Sequence, residues 1–397
     1  MSLPLPLDGV RVLAVEQYGA GPWGTLYLAD MGAEVIKIEQ PGSGDMSRGT
    51  GPHFLGDNDS EFFQTFNRNK RSLTLDLKDR RGREIFEKLA ARADGVANNL
   101  RGDQPGKLGL TYEVLGKINP KLVCAHLSAY GRTGARAGWP GYDYLMQAEA
   151  GFMDLTGEPD SPPTRMGLSV VDYMTGVTMA YAFTAALVQA LKTGRGRDVD
   201  VSLFDVALHQ LTYPATWYLN SGDLTRRRPR SGHPSTVPVE LFPTADGYVF
   251  IMCVTQKFWE LLCQRTGLDH LAADPRFLKP ADRRTNREAL IAILDERLRQ
   301  RTTAEWLEIF AGDIPSAPVH TLDQALANPW LAERGHIQPH PHPAKPDMRM
   351  IANPIRLDDA FVPVKAAPAL GADTDAILGE LGLGADDIRA LKEAKVV

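Results

Sequence analysis

Cysteine is scarce in this chain of 397 residues, which has only Cys124, Cys253 and Cys263. None of them stands in a C-x-x-C spacing or near a pair of histidines at zinc-ligand spacing. This excludes a disulfide framework and gives no grounds for a metal site. We therefore expect three reduced cysteines in the core of a cytoplasmic protein that holds no metal.

A large excess of charge of one sign is absent as well. The chain has 44 Lys and Arg residues against 49 Asp and Glu residues, so the net charge is −5, and the basic residues are spread along its length. We therefore expect no nucleic-acid partner. The exception is the segment RRRPR at residues 226–230, which lies in a polar, proline-containing connector and is interpreted as a solvated linker.

Long apolar runs are almost absent. One stretch, Tyr173 to Leu191, is free of charge and long enough to suggest a membrane span, but its Thr, Gly, Gln and Ala content fits a buried, closely packed helix better. We therefore expect no membrane partner. At the N-terminus no basic residue precedes the first apolar stretch, and Asp8 interrupts it, so no secretory signal is recognised and a cytoplasmic location is expected.

Apolar segments typical of buried strands alternate with helical segments in the first part of the chain. The run VRVLAV, Val10 to Val15, is one such strand, and a glycine-bearing loop, a helix and a second strand follow it. This alternation predicts an α/β fold with a doubly wound parallel sheet. Changes in composition divide the chain into a large domain over 1–222, a smaller α/β domain over 223–325 and a C-terminal segment over 326–397.

The loop after the first strand raises the hypothesis of a dinucleotide site. Residues 19–24, GAGPWG, fit G-x-G-x-x-G between a strand and a helix, and Glu39 follows about twenty residues later. However, Gln17 and its neighbours separate the strand from Gly19, where the NAD fingerprint requires a tight turn. The general prediction that remains is a loop at a helix N-terminus, suited to phosphates or an adenine-bearing ligand.

Asp172, in MGLSVVDYMTG, is the candidate catalytic residue. Apolar residues precede it and the sequence predicts that a long helix begins with it, so it could simply cap that helix. Alternatively, it could be a carboxylate in an apolar pocket, stabilised by the helix N-terminus and able to act as a nucleophile. Local sequence leaves both interpretations open.

Ordered segments along nearly the whole chain resemble the class III CoA-transferase family. This family includes formyl-CoA transferase and the carnitine and succinate–hydroxymethylglutarate CoA-transferases. The matching segments include LPLDGVRVLAVEQYGAGPWGTLYLADMGAEVIKIEQPGSGD, FNRNKRSLTLDLKDRRG, GWPGYDYLMQAEAGFMDLTGEPDSPPTRMGLSVVDYMTG, TGRGRDVDVSL, PVELFPTADGYVFI, IPSAPVHTLDQALANPWLAERGHI and APALGADTDAIL.

The resemblance implies a fold, a mechanism and a set of residues. It implies a Rossmann-like large domain to which the C-terminal segment returns, and an interlocked homodimer. It also implies that Asp172 is the nucleophile and that CoA and acyl-CoA are substrates rather than permanently bound cofactors. CoA-contacting residues are Gly19, Ala20, Leu75, Lys78, Asn98, Asn99, Lys107 and Tyr130. Substrate or loop residues are Gln17, Tyr142, Gly232 and His233, with oxyanion-binding amides near Gly232.

Two departures from the family pattern bear on the site residues and on the substrate, and a difference from related racemases bears on the reaction. The stretch ANNLRGDQPG is one residue longer than the family's usual form. The segment SGHPS, residues 231–235, replaces the glycine-rich loop of the formyl-CoA enzyme, which argues against oxalate or formate as substrate. Related acyl-CoA racemases carry a catalytic His where this chain has Tyr142. A Tyr, with a pKa of about 10, is a poor substitute for a His of about 6.5 in proton transfer, although His126 and His233 are present.

We therefore expect a CoA-transferase that moves CoA from an acyl-CoA, such as succinyl-CoA, to a small carboxylic acid through aspartyl anhydride and aspartyl-CoA thioester intermediates. A 2-methylacyl-CoA racemase and an NAD-dependent oxidoreductase are the alternatives. Retention or loss of configuration at the α-carbon separates the first two functions, and binding of CoA rather than NAD separates both from the third.

Overall fold

The computed structural model describes residues 3–397, which fall into two compact units. The first unit extends to Ala150 and also includes Gly167–Leu211 and Arg334–Val397. The second comprises Gly151–Met166 and Thr212–Glu333. The domain limits that composition suggests, at residues 222 and 325, stay a prediction.

The strands are short, and each is bounded by turns or by the start of a helix. In chain order they are β1 (Arg11–Val15), β2 (Glu34–Glu39), β3 (Phe54–Gly56), β4 (Asp59–Ser60), β5 (Arg71–Thr74), β6 (Gly95–Asn98), β7 (Val123–Ser128), β8 (Arg197–Ser202), β9 (Val239–Pro243), β10 (Tyr248–Met252), β11 (Ser316–Pro318), β12 (Ile337–Pro339), β13 (Arg349–Ile351), β14 (Arg356–Leu357) and β15 (Ala360–Phe361).

The helices range from a single turn to 24 residues. They are α1 (Ala20–Asp30), α2 (Glu61–Asn67), α3 (Arg80–Ala90), α4 (Gln104–Lys107), α5 (Tyr112–Leu115), α6 (Asp143–Glu149), α7 (Phe152–Leu155), α8 (Val170–Thr193), α9 (Leu203–Gln210), α10 (Thr212–Ser221), α11 (Gln256–Thr266), α12 (Pro280–Thr285), α13 (Arg287–Leu298), α14 (Thr303–Phe310), α15 (Leu322–Leu326), α16 (Pro329–Arg334), α17 (Thr374–Glu380) and α18 (Ala385–Glu393).

The first unit is built on a six-stranded parallel sheet in the order β5-β2-β1-β6-β7-β8. Numbered along the chain within this sheet, that is the order 3-2-1-4-5-6 of dinucleotide-binding folds. The interior residues of β1, and all of β6 and β7, are buried, as expected for strands that are covered on both faces. The predicted Rossmann-like, doubly wound parallel sheet is confirmed.

One face of this sheet shares a hydrophobic core with the last two helices of the chain. The core joins Leu13 and Val96 of the sheet to Ile377 of α17 and Leu391 of α18. The C-terminal segment therefore packs in the same unit as the N-terminal strands.

Helix α8 packs against α1, β7 and β8 within the first unit. One side of it, which includes Met179, Phe183 and Leu187, is buried, while Val177 and Tyr181 are exposed on another side. Among residues 3–397 it is the one helix long and apolar enough to cross a membrane by length and composition. Core helices of soluble proteins meet the same criterion.

The second unit has a three-stranded antiparallel sheet in the order β11-β10-β9. β9 and β10 form the hairpin that VELFPTADGYVFIMCV predicts, and its turn is closed by a hydrogen bond from the Thr244 amide to the Gly247 carbonyl oxygen. The helices that follow bury Trp259, Leu294 and Trp306 against this sheet. The unit therefore has a hydrophobic core of its own.

Candidate active site

The candidate site lies at the carboxyl ends of β1 and β6, the neighbouring strands at which the order of the main sheet reverses. The Gln17 amide, just after β1, donates to Asn99 Oδ1 (2.9 Å), and Asn99 Nδ2, just after β6, donates to the Gln17 carbonyl oxygen (2.7 Å). Ligands of open α/β sheets bind at this topological switch point. Asn99 therefore fixes the start of the loop that leads from β1 into α1.

Two glycines allow α1 and α8 to approach each other very closely. A Cβ atom on Gly24 would lie 2.6 Å from the Gly176 carbonyl oxygen, and one on Gly176 would lie 2.6 Å from the Ala20 carbonyl oxygen. The N-terminal ends of the two helices are thereby brought together. A Cβ atom on Gly19 would lie 2.8 Å from Asp172 Oδ2, so the β1–α1 loop directly adjoins the candidate nucleophile.

Asp172 does not cap the helix on which it lies. The expectation that the helix begins with Asp172 is wrong, because α8 begins at Val170 and Ser169 is its N-cap. The amides of Val171 and Asp172 both donate to Asp143 Oδ2, at 2.6 and 3.0 Å. Asp143 thus provides the acceptor for the free amides at the start of α8. The interpretation of Asp172 as a simple helix cap therefore has no support in the structure.

The carboxyl group of Asp172 has a strongly perturbed pKa. Burial, and then the negative charge of Asp143, raise the pKa of Asp172 from 3.8 to about 7. Within residues 3–397, no group forms a hydrogen bond with this carboxyl group. The helix N-terminus favours the anion, but desolvation and like-charge repulsion outweigh it. A carboxyl group that titrates near neutrality in a cavity is typical of functional sites.

The cavity around Asp172 has a volume of about 420 Å³. Six of the residues that the resemblance implies line it, namely Gln17, Gly19, Ala20, Asn99, Tyr142 and Asp172. It is also lined by residues that the sequence reasoning missed, including Arg101, Gln104, Ser128 and Trp139. The site therefore combines a carboxyl group, aromatic walls and at least one cationic side chain.

Leu75 and Lys78 line a neighbouring cavity of about 190 Å³. Gln17 and Leu100 line both cavities, so the two adjoin at the end of β1. An elongated ligand could therefore extend from the surroundings of Lys78 to Asp172.

Asn98 does not reach either cavity, although the resemblance implies that it contacts CoA. Its side chain is fully buried, with Nδ2 at 2.8 Å from His126 Nδ1, and His126 Nε2 lies 2.9 Å from Asp198 Oδ1. A ligand cannot contact Asn98 in this conformation. His126, the histidine that could have supported racemase chemistry, is likewise buried in this polar cluster and does not line the site.

Lys107 and Tyr130 also lie outside both cavities. Lys107 Nζ pairs with Asp103 Oδ2 at 2.6 Å, and the Tyr130 hydroxyl donates to Glu149 Oε2 at 2.8 Å. These partners occupy the polar groups with which the two residues would bind CoA. Their CoA-contacting role stays a prediction that this geometry does not favour.

Gly232 and His233 belong to the second unit. The Gly232 amide donates to the Pro229 carbonyl oxygen (3.1 Å), so it is not available to an oxyanion in this conformation. His233 Nδ1 accepts from the Ser235 amide (3.2 Å), and burial, followed by the charge of Arg287, lowers the pKa of His233. The lowered pKa favours the neutral form of the histidine, and the hydrogen bond to Ser235 orders its own loop.

A network of buried charges lies beneath the loop that joins β1 to α1. Lys37 Nζ is 2.8 Å from Asp45 Oδ2, and Asp45 Oδ1 accepts from the Tyr18 amide (3.0 Å). Lys70 Nζ is 2.8 Å from Glu16 Oε1, and burial lowers the pKa of Lys70 to about 8. Because Tyr18 has a left-handed backbone conformation (φ 70°), these bonds hold a strained loop next to Asp172.

Glu39 is part of the same buried layer. Its carboxylate accepts from Arg48 (2.8 and 2.9 Å) and from the Ser72 hydroxyl (2.7 Å). The dinucleotide interpretation requires a free acidic residue here to bind the ribose of NAD. Since Glu39 is fully engaged, the geometry does not favour an NAD site.

Comparisons with known proteins agree with this geometry. Residues 7–374 match the model of CoA-transferase family III. Acetyl-CoA:oxalate CoA-transferase of Acetobacter aceti is 38% identical over 331 residues, covering 83% of this chain and 84% of that protein. Human succinyl-CoA:glutarate CoA-transferase is 33% identical over 390 residues, covering 98% of this chain and 88% of that protein.

A solved structure shares the fold as well. The crystal structure of a CAIB/BAIF family protein from Brucella suis superimposes with a TM-score of 0.81 at 35% sequence identity, covering 96% of this chain and all of that chain. The family match, the relatives and this structure each span most of the chain. The chain therefore belongs to CoA-transferase family III, and it is a CoA-transferase.

Proposed function

We propose that this protein moves CoA from an acyl-CoA thioester to a small carboxylic acid, with Asp172 as the covalent nucleophile. The observation that carries the proposal is the state of Asp172. Its carboxyl group lies in a cavity against Gly19, has no hydrogen-bond partner within residues 3–397 and has a pKa raised to about 7. A desolvated carboxylate of this basicity is a better nucleophile than one in water.

In the first half-reaction, the Asp172 carboxylate attacks the thioester carbonyl of the donor. The C–S bond breaks, which gives a mixed anhydride between Asp172 and the donor acid together with CoA thiolate. The thiolate then attacks the aspartyl carbonyl of the anhydride. The donor acid leaves as a carboxylate, and Asp172 is left as a thioester of CoA.

In the second half-reaction, the acceptor carboxylate attacks the aspartyl thioester carbonyl and expels CoA thiolate. A new mixed anhydride joins Asp172 to the acceptor acid. Attack of the thiolate on the acceptor's carbonyl gives the new acyl-CoA and restores the Asp172 carboxylate. One thioester replaces another of similar energy, so the sequence of steps balances without ATP, a metal or a permanently bound cofactor.

The start of α1 is suited to stabilise the oxyanions that form in these steps. The first-turn amides of a helix have no intrahelical acceptor. Ala20 and Gly21 occupy that turn, Ala20 lines the cavity, and the preceding residue, Gly19, adjoins Asp172. Backbone amides aimed at developing negative charge are the usual oxyanion donors. We therefore assign this role to the α1 amides instead of that of Gly232.

The two adjoining cavities fit an extended thioester substrate. We place the CoA chain along Leu75, Lys78 and Gln17, with the thioester carbonyl at Asp172. For the acids we propose succinyl-CoA as donor and a small dicarboxylic acid as acceptor, because succinyl-CoA and glutarate are named for the human relative. The loop at residues 231–235 lacks the glycine-rich sequence of the formyl-CoA enzyme, which argues against oxalate.

We also propose that the protein is a homodimer in the cytoplasm. An exposed apolar stripe on α8, formed by Val177, Tyr181, Val188 and Leu191, supports the dimer. Such stripes on soluble proteins usually mark an interaction surface. Sedimentation at micromolar concentration tests it, and a monomer there would contradict it.

The proposed function is tested by measuring the transfer of CoA between acids. The protein is incubated with succinyl-CoA, acetyl-CoA or oxalyl-CoA and a panel of mono- and dicarboxylic acids, and new thioesters are identified by mass spectrometry. Dicarboxylic acids should accept CoA from succinyl-CoA, and Asp172→Asn should abolish this exchange. Asp57→Asn, a change at an exposed loop carboxylate, is the matched control and should exchange normally. An Asp172→Asn variant that exchanges normally would overturn the assignment.

A further inference from the structure

The second unit contains a cavity of about 490 Å³ with an unusual charge distribution. Three arginines line it, Arg226, Arg228 and Arg284, against a single carboxylate, that of Asp223. Trp217 also lies in the lining. The cavity is therefore strongly cationic although the chain as a whole carries a net charge of −5.

Two of the four arginines in the segment RRRPR line this cavity, and the other two bind groups of the protein. The backbone of Arg228 is extended, and in extended backbone successive side chains point to opposite sides. The chain around Arg226 has no regular secondary structure. Arg226 and Arg228 line the cavity, whereas Arg227, which lies between them in sequence, donates to the Ser161 carbonyl oxygen (2.9 Å). Arg230 pairs with a carboxylate of α13. The run is thus only partly the solvated linker that the sequence predicts.

Two of the three cavity arginines have no carboxylate partner in the described part of the chain. Arg226 has its nearest carboxylate, that of Asp154, at 3.8 Å in an exposed pair. Arg228 and Arg284 form no ion pair among residues 3–397. Guanidinium groups that the protein leaves unpaired are free to bind a carboxylate or phosphate with two parallel hydrogen bonds each.

A separate feature of the same cavity points to a missing polar ligand. Thr225 Oγ1 is buried and has no hydrogen-bond partner among the residues that the structure describes, and Thr225 lines the cavity. A buried hydroxyl without a partner costs free energy, and a rotation of the Thr225 side chain toward the cavity would let a ligand oxygen recover it.

We propose that this cavity is a binding site for a small dianion, held by Arg228 and Arg284 with help from Arg226 and the Thr225 hydroxyl. A dicarboxylic acid and a phosphate share the necessary chemistry, because each presents two negative charges on oxygen atoms at neutral pH. The site belongs to the second unit and shares no lining residue with the two cavities of the first unit. It adjoins the loop at residues 231–235 through Pro234 and Ser235.

The test is calorimetric titration of the full chain with succinate and with inorganic phosphate, and with acetate for comparison. Arg228→Gln and Arg284→Gln should each weaken binding of the dianion about tenfold, the size expected for a lost charge-assisted hydrogen bond. Arg299→Gln, a change at an exposed arginine of the same unit that does not line the cavity, should bind like the wild type. Binding should weaken as salt is added.

A preference for succinate identifies the ligand as a dicarboxylic acid, and a preference for phosphate identifies it as a phosphate. The proposal is overturned if neither dianion binds to the wild type, or if both arginine variants bind as tightly as the wild type. Asp172→Asn serves to separate the two proposals. It should keep dianion binding while exchange is lost, so failure of one proposal does not imply failure of the other.

Discussion

The Asp172→Asn substitution should stabilise the protein at neutral and alkaline pH while it abolishes exchange. The pKa of Asp172 is about 7 in the folded protein, against about 4 in an unfolded chain. Because the folded pKa is raised, protonation favours folding. This contribution to stability is fully present below pH about 4 and is lost as the pH rises to about 7.

The size of the effect follows from the pKa difference. A shift of about three pKa units corresponds to about 4 kcal/mol of unfavourable free energy in the folded state once the carboxyl group is ionised. Asparagine has nearly the same shape but carries no charge beside Asp143. The variant should therefore gain up to about 4 kcal/mol over the wild type at pH 8 and almost nothing at pH 4. Gains of this kind are typical when a functional group is replaced.

Urea unfolding of both proteins from pH 4 to pH 8 checks this prediction, with Asp57→Asn as the matched control. The difference in unfolding free energy between Asp172→Asn and the wild type should grow as the pH rises, whereas the control should follow the wild type throughout. If Asp172→Asn were less stable than the wild type at pH 8, or if its gain did not vary with pH, the electrostatic account of the site would be wrong.

Other predictions concern the same carboxyl group. The kcat/KM for exchange should fall about tenfold per pH unit below pH 7. Asp143→Asn should shift this decrease to lower pH, because asparagine removes a negative charge near Asp172 but keeps an oxygen that accepts from the α8 amides. A pH profile of Asp143→Asn identical to that of the wild type would contradict this. Gly19→Ala should reduce the rate of exchange at least about 100-fold, because the new methyl group would lie 2.8 Å from Asp172 Oδ2 and displace the carboxyl group. Gly49→Ala, whose methyl group would lie in open space, is the control and should exchange normally. A 2-methylacyl-CoA should take up no solvent deuterium at its α-carbon, since Tyr142 replaces the histidine of the racemases, and mass spectrometry would detect any uptake.

Much of the fold follows from local patterns in the sequence. The mainly apolar runs of β1 and β7 and the helices between the strands are properties of short segments. Parallel strands with helical crossovers then have few possible arrangements. The hairpin of β9 and β10 was likewise visible as two apolar runs around a turn. These elements were therefore predicted correctly.

The start of α8 was missed although a signal was present. Ser169 and Asp172 have the S-x-x-D spacing that often marks a helix N-terminus, which would place the start before Asp172. In the folded protein Ser169 makes no capping bond, because Asp143, from a segment 28 residues earlier, takes that role. This is a tertiary contact, and no pattern within either segment encodes it.

The candidate site was likewise predicted in part from the sequence and in part missed. The resemblance brought together the residues around Asp172, but it also implied Asn98, which is buried against His126 instead. The buried pairs of Lys37 and Lys70 were not recognised at all, because lysines in a sequence are normally expected at the surface. Burial of charge depends on partners that only the folded chain brings within reach.

The central claim, a covalent intermediate on Asp172, is tested most directly by trapping. The wild type is incubated with succinyl-CoA and treated with hydroxylamine, which converts an aspartyl thioester or anhydride into a hydroxamate, and the digested protein is examined by mass spectrometry. We expect a hydroxamate at Asp172 alone, only when succinyl-CoA is present, and none in Asp172→Asn. A wild type that exchanges CoA but remains unmodified at Asp172, or that is modified at another residue, would contradict the account.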